Sequence, residues 1–212
     1  MSAPRFSPAF REQLQALFAW RRDVRAFRTD PLPAGLLDEL VATACLAPSV
    51  GLSQPWRFVE VTEPGRRAAI RANFEAANAA ALAAQAHHRQ AAYARLKLAG
   101  LDEAPCHLAV FADAGTTQGH GLGRRTMPEA VDYSAVLAIH TLWLAARAAD
   151  VGVGWVSILD PAGVAAALDV PESWHFVGYL CIGYPQAEQE TPTLETAGWE
   201  HRRPAGSFLL RR

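Results

Sequence analysis

The chain has 212 residues, half of them apolar, which is enough to bury a core as one domain or as one subunit of an oligomer. Its 20 Lys and Arg nearly balance its 21 Asp and Glu, so the formal net charge of -1 favours neither a nucleic acid nor an anionic membrane as partner. Three widely spaced cysteines in apolar runs lack the spacing of a zinc site or a redox dithiol, so we expect free thiols. With neither a leader pattern nor an apolar run of about 20 residues, we expect a cytoplasmic protein without a membrane span.

Hydrophobic spacing divides the chain into interleaved helices and strands. Apolar residues at helical spacing predict helices over residues 8–20, 36–47, 130–149 and 161–168, and an alanine-rich, partly exposed helical region over 64–100. Short apolar runs bounded by turn residues predict strands over 57–61, 106–111, 151–158 and 176–182. Because no phosphate-binding glycine fingerprint accompanies these strands, the order favours a layered α+β sandwich over a dinucleotide-binding fold.

The end of the first predicted helix carries three arginines within five residues, Arg21, Arg22 and Arg25. Their mutual repulsion is most easily tolerated when an anion such as a phosphate lies among them. The alternative is a solvated basic helix end that interacts favourably with the helix dipole, and spacing alone does not separate the two. Asp23 should be held ionised by these arginines, either as a base or hydroxyl acceptor or simply as an ion-pair partner.

A second candidate segment, Pro48 to Gln54, has small residues that let backbone N–H groups approach a flat polar ligand. Ser49 and Gln54 could add side-chain hydrogen bonds there. An ordinary turn between a helix and a strand explains the same residues equally well.

The third candidate segment contains Gly152 and Gly154 in a predicted strand, where missing side chains leave space for something bulky against the backbone. Ser157 lies just beyond them as a small hydrogen-bond donor, and a β-bulge is the alternative explanation. The histidines are scattered without metal-ligand spacing, so we expect no metal. The absence of a Gly-x-Ser-x-Gly elbow gives hydrolase chemistry no support.

The order of these motifs resembles the nitroreductase-like flavoprotein family, over about Arg21 to Trp199. The resemblance rests on Arg21-Arg22-x-Val24-Arg25, Ala47-Pro48-Ser49-Val50-Gly51-x-x-Gln54-Pro55-Trp56 and Gly152-Val-Gly-Trp155. Within the family, the chain resembles the 5,6-dimethylbenzimidazole synthase branch. It has Arg-Arg-Asp-Val-Arg in place of the usual Arg-Arg-Ser, followed by Gly-Leu-Gly-Arg124, Asp132-Tyr133-Ser134, Leu142-Trp-Leu-Ala-Ala-Arg147 and Gly-Trp-Val-Ser157-Ile.

This resemblance implies a fold, an assembly and a set of site residues. The fold is an α-β-α sandwich with a mixed, mainly antiparallel sheet, as a single domain over residues 1–212 with a lid at about 75–100 and a C-terminal arm at about 185–212. Two copies form a homodimer with FMN at the subunit interface. Asp23 and Ser157 match the catalytic polar residues. The FMN contacts implied by position are Arg21, Arg22, Asp23, Val24, Arg25, Pro48, Ser49, Gln54, Leu98, Trp155, Ser157 and Arg202, with Arg203 as the alternative to Arg202 for a phosphate contact from the C-terminal arm.

The activity implied by the branch is an oxygen-dependent fragmentation of reduced FMN, supplied by a separate flavin reductase. The products are 5,6-dimethylbenzimidazole, the lower ligand of cobalamin, and D-erythrose 4-phosphate. The alternatives are an NAD(P)H-dependent nitro- or quinone reductase, a reductase of cobalt in a corrin precursor, and a non-enzymatic flavin carrier. Asp23 in place of serine argues against the first. The role of Gly115 to Gly123, with Arg124 and Arg125 after it, stays open.

Overall fold

The computed structural model describes residues 3–212 and is built on a four-stranded sheet. The strands are β1 (Trp56–Glu60), β2 (Cys106–Asp113), β3 (Gly152–Val156) and β4 (Trp174–Gly183), in the spatial order β1-β2-β4-β3. All three neighbouring pairs are antiparallel. A parallel bridge between Asp23 and Val153 at the β3 edge gives the sheet its mixed character.

Seven helices accompany this sheet within residues 3–212. They are α1 (Pro8–Trp20), α2 (Leu36–Ala44), α3 (Pro64–Ala83), α4 (His87–Tyr93), α5 (Ala130–Ala148), α6 (Pro161–Leu168) and α7 (Thr193–Thr196). The first helix starts where Ser7 Oγ accepts a hydrogen bond from Phe10 N at 3.1 Å. α6 starts in the same way, since Asp160 Oδ2 accepts from Gly163 N at 2.8 Å.

The helices cover both faces of the sheet. Alternate residues of β2 point to opposite sides, so Leu108 and Val110 join the core beneath α2 and α5, whereas Ala109 and Phe111 join the core beneath α3 and α6. This arrangement is the α-β-α sandwich expected from the sequence, and the α+β class is confirmed.

Most predicted elements are present, with differences at their ends. The helices predicted over 8–20 and 161–168 have the predicted bounds, whereas α2 ends at Ala44, three residues early. The alanine-rich region is two helices separated at residues 84–86. β2 continues two residues past Phe111 because a register shift at that residue lets it keep pairing with β4.

The chain after α1 runs along the edge of β3. Val24 N donates to Val153 O at 3.0 Å, and a Cβ on Gly154 would lie 2.1 Å from Val24 O. A Cβ on Gly152 would lie 2.7 Å from the Val24 side chain. The close approach predicted at the paired glycines is therefore confirmed, but what lies against them is this segment of the chain itself.

The three cysteines, Cys45, Cys106 and Cys181, are free thiols as expected, two of them buried. No helix in the described part of the chain is long and apolar enough to cross a lipid bilayer. Residues 3–212 also contain no group of three or more His, Cys, Asp or Glu side chains placed to hold a metal ion.

Candidate active site

A cavity of about 350 Å³ lies where the segment after α1 meets the residues that follow α4 and the C-terminal segment. One wall is apolar and includes Leu96, Leu98 and Leu194. A single carboxylate, that of Asp23, is among its lining groups. The remaining charge is positive and comes from six side chains, those of Arg21, Arg22, Arg25, Arg95, Lys97 and Arg202. The cavity therefore suits an anion joined to an apolar group.

Asp23 is fixed in this cavity by two neighbours. Its Oδ1 accepts a hydrogen bond from Trp155 N at 2.9 Å, and its Oδ2 lies 2.5 Å from Nη2 of Arg25. The parallel bridge to β3 and the side-chain-free surface of Gly154 bring Asp23 close enough for the first of these bonds. The carboxylate thus has a defined orientation before any ligand binds.

Burial dominates the titration of Asp23. Neighbouring atoms crowd the carboxylate although 42% of the side chain is exposed towards the cavity, and this burial raises its pKa. Arg25, the Trp155 N–H and Arg21 lower the pKa, in a smaller total effect. The arginine charges alone predict a lowered pKa for Asp23, which is why the sequence predicts an ionised carboxylate, but burial reverses the net direction of the shift. A carboxylate with a raised pKa is a stronger base.

Arg25 connects three parts of the site. Besides Asp23, its Nη2 donates to Trp155 O at 2.6 Å and its Nη1 donates to Leu98 O at 2.8 Å. Leu98 belongs to the segment that the sequence identifies with a lid. The guanidinium therefore fixes the predicted lid segment, β3 and the carboxylate relative to one another.

Arg22 lines the cavity, but most of its guanidinium is already bound to backbone carbonyl groups. Its guanidinium donates to Arg21 O at 2.6 Å and contacts the carbonyl oxygens of Ala19 and Glu190. The contacts with Arg21 O and Ala19 O lie at the end of α1, the alternative considered for the basic cluster, whereas Glu190 O belongs to the C-terminal segment. The Nε of Arg22 is buried and has no hydrogen-bond partner within residues 3–212. This orphaned donor leaves one group of Arg22 for a ligand.

Arg21 and Arg202 lie close enough in the cavity for their charges to repel each other. The Arg21 guanidinium lies 4.9 Å from the centre of the Trp143 ring, and its pKa is lowered by burial and also by the nearby Arg202. Arg202 lowers the pKa of Arg22 as well. A phosphate among these groups would relieve their repulsion. Arg202, and not Arg203, is the C-terminal arginine that lines the cavity.

The predicted lid and the predicted arm contact each other. The Arg89 guanidinium stacks 4.1 Å from the Trp199 ring centre and donates to Trp199 O at 3.1 Å. Tyr93 packs edge-on against the same ring. Residues 95–98 follow directly and line the cavity, so this contact holds one rim of the site. Sequence reasoning did not assign Arg95 and Lys97 to the site, although their charge within Arg-Leu-Lys-Leu was a usable signal.

Ser157 lies two residues beyond Trp155, at the end of β3. Its side chain is exposed, and its hydroxyl makes no hydrogen bond to the residues that the structure describes. The loop that carries it is held by Asn73 on α3, which accepts from Asp160 N at 2.7 Å and donates to Asp160 O at 3.1 Å. Ser157 is thus two residues from Trp155, whose N–H group binds Asp23, but it does not line the cavity.

The turn 49–54, which follows Pro48, lies apart from the cavity. Ser49 Oγ accepts from Gln54 N at 3.1 Å, which closes the turn, and Pro48 is exposed. None of Pro48, Ser49 and Gln54 lines the cavity. Within one chain, the turn is therefore separate from the other predicted site residues. Those that lie together, by direct contact or along one cavity, are Arg21, Arg22, Asp23, Val24, Arg25, Leu98, Trp155 and Arg202.

The sandwich and its cationic, partly apolar cavity define the class of this protein. The chain belongs to the nitroreductase family, whose model matches residues 18–184. It is 61% identical to the 5,6-dimethylbenzimidazole synthase of Rhodospirillum rubrum, over 96% of each chain. It is 49% identical to a protein of the same name from Rhodobacter capsulatus, over 94% of this chain and 96% of the relative.

A solved structure supports the fold assignment. Oxidized iodotyrosine deiodinase bound to FMN and 3-iodo-L-tyrosine superposes with a TM-score of 0.72, over 93% of this chain and 97% of that one. The two sequences are 22% identical, so this likeness concerns the fold.

Proposed function

We propose that this protein is a 5,6-dimethylbenzimidazole synthase that fragments reduced FMN in an oxygen-dependent reaction, giving 5,6-dimethylbenzimidazole for cobalamin and D-erythrose 4-phosphate. The observation that carries the proposal is the Asp23 carboxylate, oriented by Arg25 and Trp155 in a cationic cavity. The two synthases described above are similar to this chain over nearly their whole length, which supports the same activity here.

The cavity has the groups that FMN requires. Arg21, Arg202 and the free Nε of Arg22 suit the phosphate, and Leu96 and Leu98 offer an apolar surface to the ring. When bound in its reduced form, FMN would supply the ring that reacts with oxygen and the ribityl carbon attached to that ring, which stays as C2 of the benzimidazole while the other four ribityl carbons leave as erythrose 4-phosphate. No metal ion has a role in this scheme.

Two residues carry the proton transfers in the proposed reaction. Asp23 removes a proton from the ribityl carbon attached to the ring, because it is fixed by two contacts and burial raises its pKa towards that of a useful base. Ser157 donates or relays a proton near the ring, and its hydroxyl is not committed to another described group. The segment around Leu98 keeps bulk water away from Asp23.

A second copy of the chain completes the site in this proposal. The exposed face of α5 carries Tyr133, Val136 and Leu137, and α1 buries none of its residues although it carries Phe10 and Phe18. Members of the family are typically dimers, and such apolar faces suit a twofold contact. Pro48, Ser49 and Gln54 would then line the partner's flavin.

The proposed reaction requires a continuous supply of reduced FMN. Because the flavin is consumed, each turnover needs fresh reduced FMN, and we assign its production to a separate flavin reductase. The free cysteines are in keeping with a reducing compartment, and we place the reaction in the cytoplasm.

The test is to mix the protein with chemically reduced FMN in air and to analyse the products by chromatography. 5,6-Dimethylbenzimidazole should form, and anaerobic mixtures or mixtures with oxidised FMN should give none. Equal yield without oxygen would refute the scheme. Rapid bleaching of bound flavin by NADPH, without benzimidazole, would identify an ordinary reductase instead, and release of intact FMN would identify a carrier.

A further inference from the structure

The loop from Gly115 to Gly123 lies directly against the turn 49–54. The two backbones meet at Gly51 and Gly119, which have positive φ angles of 58° and 78°. A Cβ on Gly119 would lie 2.4 Å from Gly51 O, and one on Gly51 would lie 2.8 Å from Leu122 O. The contact is therefore between main chains, and neither glycine has room for a side chain.

The amide of Gln118 holds the two strained residues of this turn. Leu52 and Gln54 have positive φ angles of 55° and 42°, a region that residues with side chains rarely adopt. Gln118 Nε2 donates to Leu52 O at 2.9 Å and to Gln54 Oε1 at 3.0 Å. These bonds stabilise a backbone that its own residue types disfavour.

The turn is also held on its inner side and the loop at its base. Val50 N donates to Ser134 Oγ of α5 at 3.1 Å, so the turn lies between α5 and the loop. Arg124 Nη2 donates to Thr116 O at 2.8 Å and so joins the two ends of the loop. Within residues 3–212, the hydrogen bonds from the loop to the turn thus come from a single side chain, that of Gln118.

We propose that the Gly115–Gly123 loop is a clamp that positions the turn 49–54 for FMN binding, with Gln118 as the positioning residue. The proposal rests on the proposed function, in which Ser49 and Gln54 contact the flavin. Strain of this kind is kept where the surrounding structure over-determines it, and it is common at ligand-binding sites. Without the clamp the turn relaxes and its hydrogen-bonding groups leave their places.

A matched glycine pair isolates the contact between the two backbones. Gly119 and Gly121 have similar φ angles of 78° and 74°, but a Cβ on Gly121 meets nothing within 4 Å. Gly119→Ala and Gly121→Ala therefore carry the same conformational strain, and only the first pushes the loop off the turn. We expect Gly119→Ala to weaken oxidised FMN binding by about tenfold relative to Gly121→Ala, measured by quenching of flavin fluorescence.

A second set of variants tests Gln118 without a steric change. Gln118→Ala removes both bonds and should weaken FMN binding by about tenfold. Gln118→Lys keeps a donor of similar reach and should restore most of the affinity. Thr117→Ala, in the same loop, serves as the control and should bind FMN normally. In turnover, Gln118→Ala should raise KM for reduced FMN and leave kcat nearly unchanged. If the alanine variant lost affinity only because the fold was destabilised, the lysine variant would not restore it.

The outcomes separate this proposal from the function on which it rests. Folded Gln118→Ala and Gly119→Ala proteins that bind FMN as tightly as their controls would overturn the clamp, whatever the products. If the unaltered protein binds FMN but yields no benzimidazole, the synthase assignment fails. The difference in affinity between the two glycine variants would still support the clamp in that case.

Discussion

The guanidinium of Arg25 joins the carboxylate of Asp23, 2.5 Å away, to the carbonyl oxygen of Leu98, 2.8 Å away. The proposed base and the proposed lid therefore share one partner. When the segment around Leu98 is in place, the guanidinium is held on two sides and orients the carboxylate. Displacement of that segment would free one side of Arg25 and loosen Asp23 as well.

Asp23→Asn tests the role of the carboxylate as a base. The amide oxygen can still accept the bond from Trp155 N, so the fold and FMN binding should be retained, but the group can no longer take a proton. We expect benzimidazole formation to fall by about 10²- to 10⁴-fold, measured by chromatography in single turnover.

The control for this variant is Asp30→Asn. Asp30 pairs with Arg28 at 2.8 Å with the same two-residue spacing, but both side chains are about half exposed. This change should leave product yield unaltered. An Asp23→Asn protein with normal yield would remove the carboxylate from the mechanism.

Arg25→Lys tests the connection between the carboxylate and the lid segment. Lysine keeps the charge, but one ammonium group cannot reach Leu98 O, Trp155 O and Asp23 together. The segment should open more often, and trypsin should cut after Arg95 and Lys97 several times faster than in the unaltered protein. Arg28→Lys is the matched control, and equal cutting rates in both variants would contradict the coupling.

Ser157→Ala separates chemistry from stability. Because this hydroxyl is exposed and makes no hydrogen bond to the described residues, its removal should change the free energy of unfolding by less than about 0.5 kcal/mol. Product yield should nevertheless fall by about tenfold or more if the group transfers a proton. Ser173→Ala, at another exposed serine, should retain full yield, and the same yield from Ser157→Ala would exclude the assigned role.

His107 should make the fold sensitive to acid. Its ring is buried, its Nδ1 lies 2.9 Å from the Tyr179 hydroxyl, and burial, helped by Arg67, lowers its pKa from 6.5 to about 4. Protons thus bind the unfolded state more readily. The neutral His107 ring therefore contributes fully to the free energy of unfolding above pH 6.5, and this contribution is lost as the pH falls through 4. The free energy of unfolding should be lower by about 2 kcal/mol at pH 5.

The measurement is urea unfolding at pH 7.5 and pH 5, at one protein concentration. His107→Gln cannot be charged, so its stability should change less between the two pH values than that of the unaltered protein. His88→Gln, at an exposed position, should keep the full change. An equal change in all three proteins would show that another group governs acid sensitivity.

Local signals predicted most of the fold. α1 and α6 have the predicted bounds because a capping side chain and a proline at the first turn mark each start. The break between α3 and α4 was not predicted, because alanines favour a helix throughout residues 84–86. The bulge in β2 depends on its pairing with β4 and has no local signal.

The candidate site was harder to predict because its contacts join distant segments. Sequence indicated that something lies against Gly152 and Gly154, but not that it is Val24. The basic cluster was read as one group, whereas Arg22 contacts a helix end and Arg25 a carboxylate. The contact between the Gly115–Gly123 loop and the turn 49–54 could not be predicted from the sequence either, because a contact between two backbones leaves no pattern of side chains.

The two strand glycines beside Val24 should respond unequally to laboratory evolution. At Gly152 an added methyl group meets only the side chain of Val24, with Cγ2 at 2.7 Å and Cβ at 3.1 Å, so alanine should appear there among active clones more often than at Gly154, after a small shift of that valine. At Gly154 it meets a carbonyl oxygen whose position is tied to the hydrogen-bonded edge of the sheet. The position of the proposed base, Asp23, is thus set by the main chain, and libraries that randomise the surrounding core should recover glycine at that single codon.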